Sequence, residues 1–117
     1  MMDMLLPQIV IIVEGKNDRS RLARLLRPEV RILTTKGTPG TEQLDRLRRE
    51  AGNDPIYLFT DNDPSGKRIR GLLRDTFPDA EQIYTRKGYA GVEGTPEEYL
   101  TRQLDKAGLG EYLQEHV

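Results

Sequence analysis

Two apolar runs in this chain end in acid. Ile9-Val10-Ile11-Ile12-Val13 leads directly into Glu14-Gly15-Lys16-Asn17-Asp18, and Ile56-Tyr57-Leu58-Phe59-Thr60 leads into Asp61-Asn62-Asp63-Pro64-Ser65-Gly66. Each run reads as a buried parallel strand, and in an open α/β sheet chemistry sits outside the carboxyl ends of the strands. Glu14, Asp61 and Asp63 converging there would hold a divalent cation. Magnesium is the first choice, because it takes oxygen ligands and keeps several waters, with manganese as its substitute. Such a site serves phosphodiester chemistry. Asp61 and Asp63 are two residues apart, so on an extended backbone they project the same way. Close carboxylates repel, and without a cation at least one has a raised pKa. Glu14 either ligates the metal or serves as general acid or base, and the residue types leave both roles open.

Around these acids lie groups suited to phosphate. Lys16, Lys67 and Arg68 fall at the expected mouth of the site, arginine with bidentate geometry. Gly15 and Gly66 suit a bend or a close approach. Each residue also has a plainer reading. Asp63 alone is a helix cap, Asp61 alone a turn residue, Asp18 the cap of the first helix, and the cations ordinary surface charge. Gly37-Thr38-Pro39-Gly40 could line the site but lacks the Gly-Lys-Ser/Thr of a nucleotide-binding P-loop. The single histidine, His116, stands near the C-terminus and offers little to catalysis.

The elements that must position these residues follow from periodicity. Strands are expected at 9–13, 30–34, 56–60 and 81–84. Helices are expected at about 18–27, 42–51, 64–76 and 96–104, with a last short helix carrying Leu109, Tyr112 and Leu113. Thr41 is the expected cap of the second helix. Asp63 followed by Pro64 marks the start of the third, and Thr95-Pro96-Glu97-Glu98 reads as a capping box before the fourth. The alternation βαβαβαβαα predicts an α/β fold with a four-stranded parallel sheet and helices on both faces.

With 117 residues the chain suits one domain, able to bury roughly two-thirds of its unfolded surface. It has no cysteine, which removes disulfides, zinc–thiolate sites and thiol catalysis. The first residues lack a signal-peptide pattern, and no apolar run approaches the ~20 residues of a membrane span. A soluble cytoplasmic protein with no membrane partner is expected. The net charge of −1 conceals an asymmetry. Residues 14–74 carry 14 Lys and Arg against 9 Asp and Glu, while 75–117 carry 4 against 9. The basic residues accompany the candidate site and could attract a polyanion. Few aromatic residues are expected near it, which argues against a base-stacking platform.

Glu14-Gly15-Lys16-x-Asp18 with Asp61-x-Asp63-x-x-Gly66 resembles the toprim domain shared by topoisomerases, bacterial primases, overcoming-lysogenization-defect nucleases and recombination mediators. The resemblance runs from about Ile9 to Leu104. It is greatest to small toprim proteins related to the ribosomal-RNA maturation ribonuclease of Gram-positive bacteria, through 13–18, 58–70 and Gly91-Val92-Glu93. It implies a single Rossmann-like toprim domain over 1–117, with a core at about 9–104 and a helical cover at 105–117. It also implies Glu14 in general acid–base work, Asp61 and Asp63 on magnesium, and Glu93 as a further acid. The catalytic candidates are then Glu14 and Lys16, and the metal candidates Glu14, Asp61 and Asp63. The candidates for binding phosphate or nucleic acid are Gly15, Lys16, Ser65, Gly66, Lys67 and Arg68. A magnesium-dependent nuclease, with RNA slightly favoured over DNA, is the first functional expectation. A non-catalytic nucleic-acid or partner-binding module of the recombination-mediator kind is the second, and a protein partner would supply domains the chain lacks. No tyrosine has the context of a topoisomerase nucleophile, and the missing cysteines leave no primase zinc domain, so neither enzyme is expected in complete form. A phosphoryl-transfer receiver would need a further strand and an acidic pair after the first strand.

Overall fold

A computed structural model describes residues 6–114. The expectations for the first residues and for His116 concern positions that lie wholly or partly outside that range. The sheet is formed by β1 (Ile9–Val13), β2 (Val30–Thr34), β3 (Ile56–Leu58) and β4 (Glu81–Gln82), in the order β2-β1-β3-β4, with every pairing parallel. All five residues of β1 are buried, because a central parallel strand is covered on both faces. The helices are α1 (Lys16–Leu25), α2 (Thr41–Ala51), α3 (Pro64–Thr76) and α4 (Glu97–Leu104). A π-type turn at Asp105–Leu109 and a 3-10 turn at Gly110–Tyr112 follow α4.

Strand alternation divides the core in two. Ile9, Ile11 and Val13 pack with Leu22 and Leu25 of α1, Leu100 and Leu104 of α4, and Leu109 and Tyr112 beyond it. Val10 and Ile12 pack on the other face with Leu47 and Ala51 of α2 and Ile69 and Leu73 of α3. The α/β architecture with helices on both faces is the one expected. β1 is joined to β2 through α1 on one face, and β3 to β4 through α3 on the other. The chain therefore turns opposite ways after β1 and β3, and in open α/β sheets such a reversal point is where ligands bind.

Several boundaries differ from the sequence reading, each for a physical reason. α1 begins at Lys16, not Asp18. Gly15 is its N-cap, and the Asp18 carboxylate accepts from the Gly15 N–H at 3.1 Å. Gly40, not Thr41, precedes α2, and no side chain caps it. Thr95 does not cap α4; its hydroxyl donates to the Gly91 carbonyl, and Pro96 takes the cap position. β3 and β4 are shorter than expected, but hydrogen bonding continues past them: Phe59 N–H donates to Ile12 O at 2.9 Å and Ile83 N–H to Leu58 O at 2.8 Å. Asp63 caps α3 as expected, accepting from Gly66 N–H at 2.7 Å.

An acidic site at the ends of β1 and β3

Glu14 leaves β1 and Asp61 follows β3 by a few residues, so strand pairing brings them together. A Glu14 carboxylate oxygen accepts from the Asp61 backbone N–H at 2.6 Å. α1 starts beside Glu14 and α3 beside Asp63, so two helix N-termini open at the same end of the sheet. Such ends favour negative charge and phosphate. Lys16 lies on the first turn of α1. Ser65 and Lys67 lie on the first turn of α3, with Arg68 just behind. All four are exposed, which suits contact with a phosphate from solution.

Two glycines explain how closely the loops approach. Gly66 lies against the Asp61 backbone, and a Cβ there would strike the Asp61 carbonyl. A Cβ on Gly91 would strike the Asp61 carboxylate itself. The segment after β4 therefore folds over the site. Asn62 N–H donates to Ala90 O at 2.5 Å, and the Asn62 side chain donates to the Thr85 hydroxyl at 2.7 Å. Arg21 of α1 holds the same segment through the carbonyls of Val92 and Glu93, at 3.2 and 2.7 Å. The Glu93 carboxylate accepts from the Asn17 side chain at 3.4 Å and lies near enough to raise Asp61 and Asp18. Gly15 needs no such explanation, since a Cβ there would meet only the Asp18 carboxylate, at 3.8 Å. From the third side, Gly37 N–H donates to Glu14 O at 3.3 Å, which brings the start of the Gly37–Gly40 loop to the site.

Five carboxylates thus share one region: Glu14, Asp18, Asp61, Asp63 and Glu93. None has an ion-pair partner among the described residues. Burial raises the Asp61 pKa to about 7, with further increments from Glu14, Asp18, Asp63 and Glu93. Burial also raises Glu14. The Asp61 N–H and the Arg70 charge oppose that rise, and Asp63 and Asp18 reinforce it. Asp18 is raised by burial and by Glu93, against the lowering effect of the Gly15 N–H. Thr60, beside Asp61, buries a hydroxyl with no hydrogen-bond partner among the described residues.

A proton or a cation can relieve this repulsion. Among the described residues no three acidic or imidazole side chains are grouped so that they could hold a metal ion between them. One oxygen of Asp63 is held by the helix cap and one of Glu14 by the Asp61 N–H. The donor set fits an open magnesium site, in which one or two carboxylates share the ion with water and substrate phosphate.

Arg70 was missed as a structural centre by the sequence reading. It is buried, donating to the carbonyls of Leu58 at 3.4 Å, Thr60 at 3.0 Å and Ile83 at 2.9 Å, and to the Gln82 side chain. It ties the ends of β3 and β4 together directly behind Asp61. An arginine one position from the buried Ile69 on the same helix was the available signal.

The family profile described as the toprim domain matches residues 9–90. The chain belongs to the toprim domain family. Among solved structures it is similar to a small TOPRIM domain protein from Bacillus stearothermophilus, with a TM-score of 0.81 and 31% identity, over 94% of this chain and 92% of that one. Among curated proteins it is similar to the uncharacterized protein YusF of Bacillus subtilis, 31% identical over 86% of this chain and 68% of that protein. It is also similar to Ribonuclease M5 of Lactococcus lactis, 32% identical over 87% of this chain and 53% of that protein. Ribonuclease M5 of Fusobacterium nucleatum is 31% identical over 84% of this chain and 57% of its own length. The match thus spans little more than half the length of these ribonucleases. No described helix is long and apolar enough to cross a membrane.

Proposed function

We propose that this chain hydrolyses phosphodiester bonds in nucleic acid, RNA in preference to DNA, at a magnesium site held by Asp61 and Asp63, with Glu14 as general acid or base. The observation that carries this reading is the set of carboxylates, without an ion-pair partner, where β1 and β3 end side by side. A bound magnesium or manganese ion would supply charge stabilisation at the scissile phosphate and an activated water. The residues of the chain do the rest. Asp61 and Asp63 place the ion, and Glu14, anchored on the Asp61 N–H, moves the proton. Lys16 faces the reacting phosphate. Gly15, Ser65, Gly66, Lys67 and Arg68 hold the backbone on either side, aided by the two helix N-termini. The ribonuclease relatives support the nuclease class and the choice of RNA.

The test is cleavage of structured RNA, single-stranded DNA and duplex DNA with magnesium, manganese or chelator, beside Glu14→Gln. Metal-dependent cleavage lost in the variant supports the reading.

One observation favours a second reading. Glu14 and Asp63 each commit an oxygen to a backbone N–H, as groups that hold structure do. A binding module of the recombination-mediator kind would use the same acids, with metal-dependent affinity and no turnover, and would depend on a protein partner. Binding without cleavage in the same panel selects it. Under either reading we place the chain in the cytoplasm as one toprim domain.

A further inference from the structure

A second site lies on the outer edge of β4. A cleft of about 360 Å³ is lined by Tyr84, Gln82, Gln103, Lys106 and Glu81, among others. This volume falls within the ~300–1,000 Å³ of small-molecule sites. Tyr84 is the exposed large hydrophobic side chain of the described residues, with 51% of its surface in solvent. An exposed ring is ordinarily mobile, but this one is held. The Arg70 guanidinium sits 4.3 Å from the ring centroid, and Arg70 is itself buried and bonded to three carbonyls. The Tyr84 carbonyl accepts from the Gln103 side chain at 2.6 Å. The ring is therefore backed by a fixed cation, with about half of the residue's surface left in solvent.

The two amides beside it are each half used. Gln82 gives its oxygen to Arg70, and its Nε2 is buried with no hydrogen-bond partner among the described residues. Gln103 gives its Nε2 to the Tyr84 carbonyl and keeps its oxygen. The cleft thus offers the acceptor of Gln103, one flat ring and the cation of Lys106, with the unpartnered Gln82 donor buried in its wall. Unpaired bases are recognised by an aromatic face and by hydrogen bonds to their edges, where donors and acceptors lie side by side.

We propose that this cleft binds a nucleobase, stacked on Tyr84 and read by Gln82 and Gln103, with Lys106 toward its phosphate. Arg70 links it to the acidic site, since the same guanidinium holds Thr60 O, one residue before Asp61. The base comes either from an unpaired nucleotide of a strand crossing the acidic site or from a free nucleotide. The first source rests on the function proposed above and the second does not.

The test is amide NMR of the labelled chain, titrated with adenosine 5′-monophosphate, with ribose 5-phosphate, and with a short single-stranded RNA in magnesium. Adenosine monophosphate and not ribose phosphate should shift Tyr84, Gln103 and Lys106. Tyr84→Ala should weaken binding on the order of tenfold, and Tyr84→Phe should retain it. RNA that shifts both the cleft and residues 14–16 and 61–63 assigns the base to the strand. RNA that shifts only the acidic site, while the mononucleotide fills the cleft, assigns a free nucleotide. If the mononucleotide fills the cleft and RNA moves nothing, the function proposed above fails and the base site stands. If neither probe moves the cleft, or if Tyr84→Ala binds as tightly as the parent, the base site is overturned.

Discussion

Asp61 concentrates the electrostatic stress of the molecule. Its carboxyl is raised to about 7 from 3.8, so without a cation the folded state holds the proton more tightly than the unfolded chain does. Stability from this group is therefore gained as pH falls through about 7 toward 4, and lost as pH rises. Metal-free protein should melt at higher temperature near pH 5.5 than near pH 8, by a difference on the order of a few degrees. Asp61→Asn should remove most of that difference, and magnesium should narrow it in the parent, both read from thermal melts across pH. A parent and variant with the same pH dependence would remove the assignment. Gly91 tests the same carboxylate from the other side. Gly91→Ala places a methyl into it and should cost about 1–3 kcal/mol, read from urea midpoints. Adding Asp61→Ala should recover much of that loss, since contacting residues are non-additive.

At the scale of elements, Arg70 does the work of a longer β4. That strand has only two residues, and the guanidinium supplies donors to carbonyls at the ends of β3 and β4 that the short ladder leaves open. Arg70→Met should destabilise the fold by about 2–5 kcal/mol in urea unfolding. Arg70→Lys should rescue little, because an ammonium cannot span the same carbonyls as a planar fork. The parallel sheet and the strand-end acids were legible because apolar runs and the Asp63-Pro64 start are local signals, whereas the order β2-β1-β3-β4 that makes β1 and β3 neighbours was not. The sequence did not reveal Arg70, whose position on α3 is periodic but whose partners come from other strands. Nor did it reveal that Gly91 touches Asp61, a contact across 30 residues of chain. Thr95 failed as a cap because the helix starts one residue later, leaving Pro96 at the cap position, while the Thr95 hydroxyl donates to the Gly91 carbonyl. The aromatic contacts with arginine were not legible either, since their partners come from separate elements. Tyr84 stacks on Arg70, and Tyr89 lies 5.5 Å from Tyr99, which Arg86 covers at 4.2 Å.

At the scale of the molecule, a near-neutral chain keeps its cations in the half that builds the acidic site. If that half meets nucleic acid, affinity should fall steeply with salt. Lys67→Ala with Arg68→Ala should reduce the slope of log affinity against log salt by about 1–2, measured by fluorescence anisotropy of a labelled RNA. An unchanged slope would move the footprint elsewhere on the surface.

The central place of β1 has a consequence for how the chain comes to be folded. Ile9–Val13 pairs on one side with residues 21 positions later and on the other with residues 46 positions later. During synthesis this uncharged, β-branched segment exists for some time before its second neighbour is made. Such a stretch is prone to join others of its kind. Its docking against β3 is also the event that sets Glu14 on Asp61, so the core and the acidic site mature in one step. Refolding yield should accordingly drop as protein concentration rises, and binding competence should return in phase with burial of the central strand.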